Sequence, residues 1–240
     1  LQPRFPGYTN LVPLWTPENG LFFGTMSGDE SMRQGVEILH NAITVDHAGE
    51  NLMVFGVSQS AAISGIEMQR LADAGWTGDL RFALLGNPTS PAGGMYVRFP
   101  GFTPYPPAPV DLFPTESFTG AYDGVADFPR YPLNLVSTAN ALAGIMTVHL
   151  GYQDMTADQI AGATHLGTAG LTDFYMIPTR QLPLLWPLYQ LGLPGATVAD
   201  TIDPMLRLVI NLGYGNLDHG LVPDPGGLDA GAAFGFLPKL

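Results

Sequence analysis

The apolar residues of the chain follow two different spacings, and these predict alternating strands and helices. Short continuous apolar runs are typical of buried parallel strands, whereas apolar residues three and four positions apart predict a helix with one buried face. The predicted strands cover 52–57, 80–85, 117–122 and 173–177, and the predicted helices cover 30–43, 59–74, 133–148 and 197–212. A capping-box pattern at Thr156 opens one more short helix. This alternation predicts an α/β fold with a mostly parallel, doubly wound sheet.

Two segments that lack both spacings are rich in proline or glycine. Residues 1–25 include Pro3, Pro6, Pro13 and Pro17, which predicts an extended arm. Residues 88–114 form a long Pro/Gly-rich loop, and loops of this length are usually lids, binding loops or disordered. We therefore expect a single domain over residues 1–240, with the arm at 1–25 and an irregular tail at 216–240.

A serine lies between the predicted strand 52–57 and the helix that follows it. In Gly56-Val57-Ser58-Gln59-Ser60, the small residues on either side of Ser58 allow strand and helix to approach closely. This strand–turn–helix arrangement is the nucleophile elbow of α/β-hydrolases, which usually has the sequence G-x-S-x-G; here Ser60 replaces the last glycine. We therefore predict Ser58 as a nucleophile and the N–H of Gln59 as a donor to the oxyanion.

An activated serine needs a histidine base and a carboxylate that orients the base. In α/β-hydrolases these follow the serine in the order acid, then histidine. Asp123 directly follows the predicted strand 117–122, at the edge where open α/β sheets place their functional residues. Asp127 is the alternative, although an aspartate beside a proline-containing turn often serves only to form that turn. The sequence favours Asp123 over Asp127.

The base must follow the acid along the chain, which leaves three of the five histidines as candidates. His149 is preferred, with His165 and His219 as alternatives. His165 is predicted at a helix end, where it would contact the last carbonyl groups, and His219 lies in a glycine-rich tail. His40 and His47 precede the acid and are assigned to a helix and a loop.

The most apolar segment of the chain covers residues 182–193 and is interrupted by prolines. Its large side chains would form either a lid that contacts an acyl chain or core packing beside the sheet. The sequence favours neither alternative over the other. The residues concerned are Leu184, Leu185, Trp186 and Leu188.

The composition restricts the class of partner. Hydrophobic residues make up 46% of the chain and charged residues only 12%, so little of the surface is charged, which suits contact with lipid or with other proteins. The net charge is −12, and such a surface repels nucleic acid and other polyanions. No transmembrane segment is predicted, because no run of 18 apolar residues occurs.

Metal and cofactor chemistry receives no support from the sequence. The absence of cysteine excludes disulfides and cysteine–zinc sites. The dipeptides Asp46-His47 and Asp218-His219 lack a metal-binding spacing, so neither a metal nor another cofactor is predicted. Leu1 is not a start residue, and we therefore expect the chain to be a piece of a longer protein whose targeting segment lies upstream.

Several short blocks along the chain form a recognisable set. The most specific is Tyr122–Pro132, and the others cover 55–61, 85–88, 93–94, 98–101, 148–152 and 175–179. Together, from about Thr16 to Gly215, they resemble the PE-PPE domain. This domain is found downstream of the PE or PPE segments of mycobacterial envelope and secreted proteins.

The resemblance implies a cutinase-like α/β-hydrolase with a serine nucleophile. It implies Ser58 as nucleophile, Asp123 as acid and His149 as base, the histidine because cutinases carry it in the pattern His-x-x-Tyr, as in His149-Leu150-Gly151-Tyr152. The implied activity is that of an esterase or lipase on acyl-ester or lipid substrates, and some relatives are acyltransferases for envelope glycolipids. A secreted or cell-envelope location, with a PE or PPE segment upstream, also follows. An inactive interaction or anchoring module is the alternative.

One feature of that family is not matched here. Its members usually begin the domain with a strand and a glycine-rich loop that supplies part of the oxyanion hole. Before Ser58, only Gly24-Thr25 offers a substitute. We expect either that this strand lies upstream of Leu1 or that the oxyanion hole is built differently.

Overall fold

The computed structural model describes residues 4–18, 26–99, 101, 104–215, 217 and 219. The strands are β1 (Leu52–Val57), β2 (Leu80–Leu85), β3 (Thr115–Gly120), β4 (Thr164–Ala169) and β5 (Thr172–Ile177). The helices are α1 (Gly28–Asn41), α2 (Gln59–Asp73), α3 (Met95–Arg98), α4 (Leu135–Gly144), α5 (Ala157–Ala161), α6 (Trp186–Tyr189) and α7 (Leu193–Leu212). Helices α1 and α4 continue into π-helical turns over Ala42–Asp46 and Ile145–His149, and 3-10 turns cover Leu150–Asp154 and Pro183–Leu185.

The five strands form one sheet in the order β1-β2-β3-β5-β4. Strands β1, β2, β3 and β5 are parallel, and β4 pairs antiparallel with β5. The predicted α/β class with a mostly parallel sheet is therefore confirmed. Parallel strands bring their carboxyl ends to one edge of a sheet, which places the segments that follow β1, β2 and β3 side by side.

The core lies on both faces of the sheet because successive strand residues point in opposite directions. Phe82 and Leu84 of β2 are buried in a cluster with residues of α1 and α2, such as Val36. Leu85, the next residue, belongs to a different cluster with Phe118. A third cluster surrounds the segment after β3 and includes residues of α7. Both faces of the sheet are therefore packed beneath the edge where its parallel strands end.

Most predicted elements occur with small shifts in their ends. Strands β1 and β2 have the predicted bounds, and α1 begins and ends two residues before the predicted helix 30–43. The capping box at Thr156 is present, since its hydroxyl accepts from the Gln159 N–H and the Gln159 side chain accepts from the Thr156 N–H. Strand β3 begins and ends two residues before the predicted 117–122. The described residues 4–18 contain neither helix nor strand.

The structure corrects two predictions, one for His165 and one for the Pro/Gly-rich loop 88–114. His165 does not lie at a helix end; it lies on β4, an antiparallel strand that was not predicted. Leu166 is the one large apolar residue of β4, and no residue of the strand is fully buried, so the continuous apolar run that marks a buried strand is missing. The strand also carries a register irregularity. The Pro/Gly-rich loop also contains the one-turn helix α3.

Candidate active site

Ser58 lies at the apex of a sharp turn between β1 and α2. Its backbone has φ 54° and ψ −115°, an unusual conformation for a residue with a side chain. Strand and helix approach so closely that a Cβ added at Gly56 would lie 2.8 Å from the carbonyl carbon of Ser60. Glycine is therefore required at position 56. The turn leaves Ser58 partly exposed at the carboxyl edge of the sheet.

Asp123 is held in a second tight turn, three residues after the end of β3. The turn begins at Tyr122, whose φ of 65° is also unusual. The Tyr122 N–H donates to Oδ2 of Asp127 at 2.7 Å, and the Val125 N–H donates to Oδ1 of Asp123 at 2.8 Å. The Asp123 side chain is fully buried, so its direction is fixed by these contacts and by those to its Oδ2.

His149 connects the two turns. Its Nδ1 lies 2.9 Å from Oδ2 of Asp123, and its Nε2 lies 2.7 Å from Oγ of Ser58. Because an ionised carboxylate can only accept, Nδ1 carries the hydrogen and Nε2 of the neutral ring accepts from the serine hydroxyl. The structure thus brings together the three residues that sequence reasoning selected, from positions 91 and 26 residues apart in the chain.

The other histidines have partners elsewhere. His219 donates from Nε2 to Oδ2 of Asp127 at 2.6 Å, so the two alternatives for base and acid pair with each other. His165 lies 3.1 Å from Asp173 across the β4–β5 hairpin. His40 contacts Glu67, which lies on α2. The fifth, at position 47, is within 3.3 Å of a glutamate three residues later.

A comparison with protein-family models covers most of the chain. The model of the PE-PPE domain matches residues 6–215. The chain belongs to the PE-PPE domain family. The predicted family is therefore confirmed.

Curated relatives of this PE-PPE domain come from Mycobacterium tuberculosis. The uncharacterized PPE family protein PPE28 is 42% identical over 95% of the chain, Esterase PE16 is 35% identical over 95%, and Diacyltrehalose acyltransferase Chp2 is 28% identical over 88%. The chain spans only 37% of PPE28, 46% of Esterase PE16 and 62% of Chp2. No solved structure matches.

The predicted oxyanion donor lies beside the serine. Gln59 is the first residue of α2, so its N–H belongs to the group of donors at the positive end of the helix. The substitute loop Gly24-Thr25 lies outside the described residues. Among the described strands, β1 pairs only with β2 and lies at the edge of the sheet.

The apolar segment around residue 185 of the PE-PPE domain divides into a buried part and an exposed part. Leu182 and Leu185 are buried in the cluster with Tyr122. Leu184 and Leu188 are partly buried, and the Leu184 N–H donates to Asn140 of α4. Trp186 is 48% exposed. The segment thus supplies both core packing and a surface aromatic ring.

Tyr152 also contacts Asp123, although the sequence marked it only as the end of the pattern His149-x-x-Tyr152. Its hydroxyl donates to Oδ2 of Asp123 at 2.6 Å and accepts from the Gly120 N–H at 2.8 Å. Burial, and then the nearby Asp123 carboxylate, raises the pKa of Tyr152 well above its usual value, so the hydroxyl keeps its proton. The spacing His149-x-x-Tyr152 was the signal in the sequence.

Three further observations concern the described residues outside this constellation. Within the part of the chain that the structure describes, no group of three or more metal-ligating side chains occurs. No described helix is both long and apolar enough to span a membrane. A shallow surface pocket of about 270 Å³ lies beside α1 and is lined in part by Met32, Val36 and Tyr105, and it does not include the serine or histidine.

Proposed function

We propose that this PE-PPE domain hydrolyses carboxylic esters with Ser58 as nucleophile, His149 as general base and Asp123 as orienting acid. The observation that carries the proposal is the unbroken series of contacts from serine to histidine to carboxylate, at 2.7 and 2.9 Å. Both distances lie within the reach that proton transfer and orientation require. The order of the three residues along the chain is that of α/β-hydrolases.

Acylation begins when Oγ of Ser58 attacks the acyl carbon while Nε2 of His149 takes the hydroxyl proton. The ring then carries a positive charge, which the buried Asp123 carboxylate stabilises from the other nitrogen. Collapse of the tetrahedral intermediate breaks the bond to the alcohol oxygen, and His149 returns the proton to that oxygen. The products of this half-reaction are the free alcohol and an acyl ester of Ser58.

Deacylation repeats the same steps with water. His149 removes a proton from water, the hydroxide oxygen bonds to the acyl carbon, and Ser58 leaves with the proton from the ring. In both halves the N–H of Gln59 donates to the oxyanion. The loss of one such donor raises the barrier by about 3 kcal/mol.

The proposed substrate is an ester with an apolar acyl group. The names of the relatives support this class, since one is an esterase and another a diacyltrehalose acyltransferase. The low charged content of the chain, 12%, suits a lipid substrate. We assign Trp186 to contact with the acyl chain because its ring is half exposed, together with the partly buried Leu184 and Leu188, while Leu185 supports them from the core.

Acyl transfer to a sugar hydroxyl is the second candidate function. Two relatives are named acyltransferases, Chp2 at 28% and Chp1 at 30% identity. The same acyl-enzyme serves both reactions, and the acceptor alone differs. An inactive anchoring module is the remaining alternative, and it predicts that Ser58 can be replaced without consequence.

We further propose that the domain acts in the cell envelope or outside the cell, joined to a PE or PPE segment. The named PE and PPE proteins among the relatives support this assignment. The match covers only 37% of PPE28, 42% of PPE42 and 53% of PE3, so each of these relatives has a long further segment. This part of the proposal concerns the whole protein and is tested by fractionating cells that express it at its native length.

The test of the function is a burst assay with p-nitrophenyl esters of several acyl lengths. The wild-type protein should release a burst of nitrophenol equal to the enzyme concentration, followed by slower turnover. Ser58→Ala should abolish both phases. Ser64→Ala is the matched control, because Ser64 lies on the same helix and its hydroxyl donates to a backbone carbonyl.

The outcomes separate the three functions. A burst that vanishes only in Ser58→Ala supports the hydrolase, and equal rates in both proteins refute the nucleophile. If added trehalose or another sugar diverts the acyl group from water to a sugar ester, measured by mass spectrometry, the transferase is the correct function. Release of free acid alone supports hydrolysis.

A further inference from the structure

We propose that Tyr152 is a positioning residue for the acid: its hydroxyl fixes the Asp123 carboxylate and limits how strongly that carboxylate attracts a proton on His149. The inference rests on the proposed function of Ser58, His149 and Asp123. It adds a fourth side chain whose effect is exerted through Asp123 and not on the substrate, since Tyr152 is buried behind the histidine.

One carboxylate oxygen receives both side chains. The Nδ1 of His149 and the hydroxyl of Tyr152 lie 2.9 and 2.6 Å from Oδ2 of Asp123. The other oxygen accepts from the backbone of Val125. Three donors therefore surround a fully buried carboxylate, and the shortest of these contacts is the one from tyrosine. Hydrogen bonds to an ionised acceptor are about twice as strong as neutral ones.

The spacing of His149 and Tyr152 explains how both reach one atom. The 3-10 turn Leu150–Asp154 follows His149 directly, and residues three apart in such a turn project in the same direction. The two rings pack edge to face with centroids 5.4 Å apart. One turn of the chain thus places His149 and Tyr152 on the same side of Asp123.

Two glycines make room for the tyrosine ring at the ends of neighbouring strands. Gly86 follows β2 with φ 65°, and a Cβ there would overlap the Tyr152 ring. Gly120 ends β3, and a Cβ there would lie 3.2 Å from the Tyr152 hydroxyl and 2.6 Å from a methyl group of Val148. The Gly120 N–H in turn donates to that hydroxyl, which leaves the hydroxyl proton directed at Asp123. The space left by these glycines and the two hydrogen bonds together fix the position and orientation of the Tyr152 ring.

Oδ2 of Asp123 accepts hydrogen bonds from both His149 and Tyr152, and this affects how readily His149 is protonated. A carboxylate that receives a proton donor from tyrosine is a weaker acceptor for histidine, so the positive ring of His149 is stabilised less. Removing the tyrosine hydroxyl should make protonation of the histidine easier and lower the fraction of active enzyme at acidic pH. The other charged or titratable groups around this loop are Tyr122, Asp127, Arg130, Tyr131, Arg98, Arg207, Tyr214 and His219, and none of them is changed in the test.

The test compares Tyr152→Phe with wild type on p-nitrophenyl butyrate from pH 5 to 8. We expect kcat to fall about tenfold with KM unchanged, because the Asp123 carboxylate loses a donor that fixes its direction, and this loss outweighs the stronger attraction for the charged His149 ring. The acidic limb of the kcat/KM profile should move up by about half a pH unit. Tyr105→Phe is the matched control, because Tyr105 also donates to a carboxylate, that of Asp29, on the surface beside α1.

A second substitution keeps the ring in place. Replacement of Tyr152 by 3-fluorotyrosine makes the hydroxyl a stronger donor, so the acidic limb should move to lower pH, opposite to the phenylalanine variant. A limb that stays fixed in both variants, or a fall in rate that is equal at every pH, overturns the positioning role. If Tyr152→Phe does not fold, the fluorotyrosine result decides alone. Activity that persists in Ser58→Ala would instead refute the proposed function.

Discussion

The Nε2 of His219 lies 2.6 Å from Oδ2 of Asp127, in a histidine–carboxylate pair next to the one proposed for catalysis. The two pairs share one loop, since the Asp127 N–H donates to the carbonyl of Asp123 at 2.7 Å. They differ in what lies beyond the histidine. His149 continues to the Ser58 hydroxyl, whereas the His219 ring stacks on Tyr214 with centroids 3.9 Å apart. We therefore assign the second pair to holding the loop.

The two aspartates should respond differently to replacement by asparagine. Asp123→Asn should lower kcat by about 10⁴-fold, because the amide favours the wrong tautomer of His149. Asp127→Asn should act mainly on stability, lowering the free energy of unfolding by about 1–3 kcal/mol through the weakened contacts to Tyr122 and His219. Ester hydrolysis and urea unfolding measure the two effects. A larger loss of kcat in Asp127→Asn than in Asp123→Asn would contradict the assignment of the acid.

Gly56→Ala tests the close approach of β1 and α2. The new methyl group would meet the backbone of Ser60 at 2.8 Å, so α2 must shift and the elbow must open. We expect a loss of about 1–3 kcal/mol in the free energy of unfolding, typical of overpacking, together with a large loss of esterase activity. The control is Gly7→Ala, where nothing lies within 4 Å of the added carbon. Equal stability of the two variants would show that the elbow tolerates a side chain.

Glu67 should make the stability of the protein depend on pH. Its side chain is fully buried, one oxygen contacts His40 at 2.8 Å, and the other has no partner. Burial raises the pKa of Glu67 above its usual value, and the hydrogen bond from His40 offsets this only in part. Because the pKa is higher in the folded state, stability is greatest below the unfolded pKa of about 4.3 and falls as pH rises through the folded value.

Glu67→Gln removes this titration and the burial of a negative charge, so it should raise the free energy of unfolding at pH 7.5, while its amide occupies the same position without a partner. Urea unfolding of both proteins at pH 5 and pH 7.5 measures the difference. The advantage of the glutamine variant should grow with pH. An advantage that shrinks as pH rises would show that the contact with His40 outweighs burial.

Alanine substitutions of Trp186 and Leu185 should have different effects, the first on acyl binding and the second on core packing. Trp186→Ala should lower kcat/KM about five- to tenfold for long-chain esters and little for acetate, because only a long chain would reach the exposed ring. Leu185→Ala should instead cost about 2–5 kcal/mol of stability, since that side chain is only 5% exposed. Chain-length profiles and thermal unfolding distinguish the two. A chain-length profile unchanged in Trp186→Ala would remove this residue from the acyl site.

The fold was predictable wherever the apolar pattern was local and strong. Strands β1 and β2 are continuous apolar runs, and their bounds in the structure are those predicted. Strand β4 was not predicted, because its sequence THLGTA contains one large apolar residue, Leu166, and the strand lies at the edge of the sheet. An antiparallel edge strand needs only one buried face, and here even that face is weak.

The candidate site was predictable in its members and only partly in its contacts. The elbow around Ser58 depends on local chain geometry, which the sequence expresses directly. The choice between Asp123 and Asp127 depends on which carboxylate faces His149, and this is set by a turn at Tyr122 that no spacing rule describes. The space for the Tyr152 ring depends on glycines at the ends of β2 and β3. This contact could not be predicted from the sequence, because it exists only when the two strands lie side by side.

The proposed nucleophile is tested most directly by covalent labelling. The protein is treated with a fluorophosphonate probe that reacts with activated serines, and the modified peptide is identified by mass spectrometry. We predict a single adduct on Ser58, lost in Ser58→Ala, slowed strongly in His149→Ala and retained in Ser64→Ala. An adduct on another residue, or no adduct on folded wild-type protein, would contradict the account.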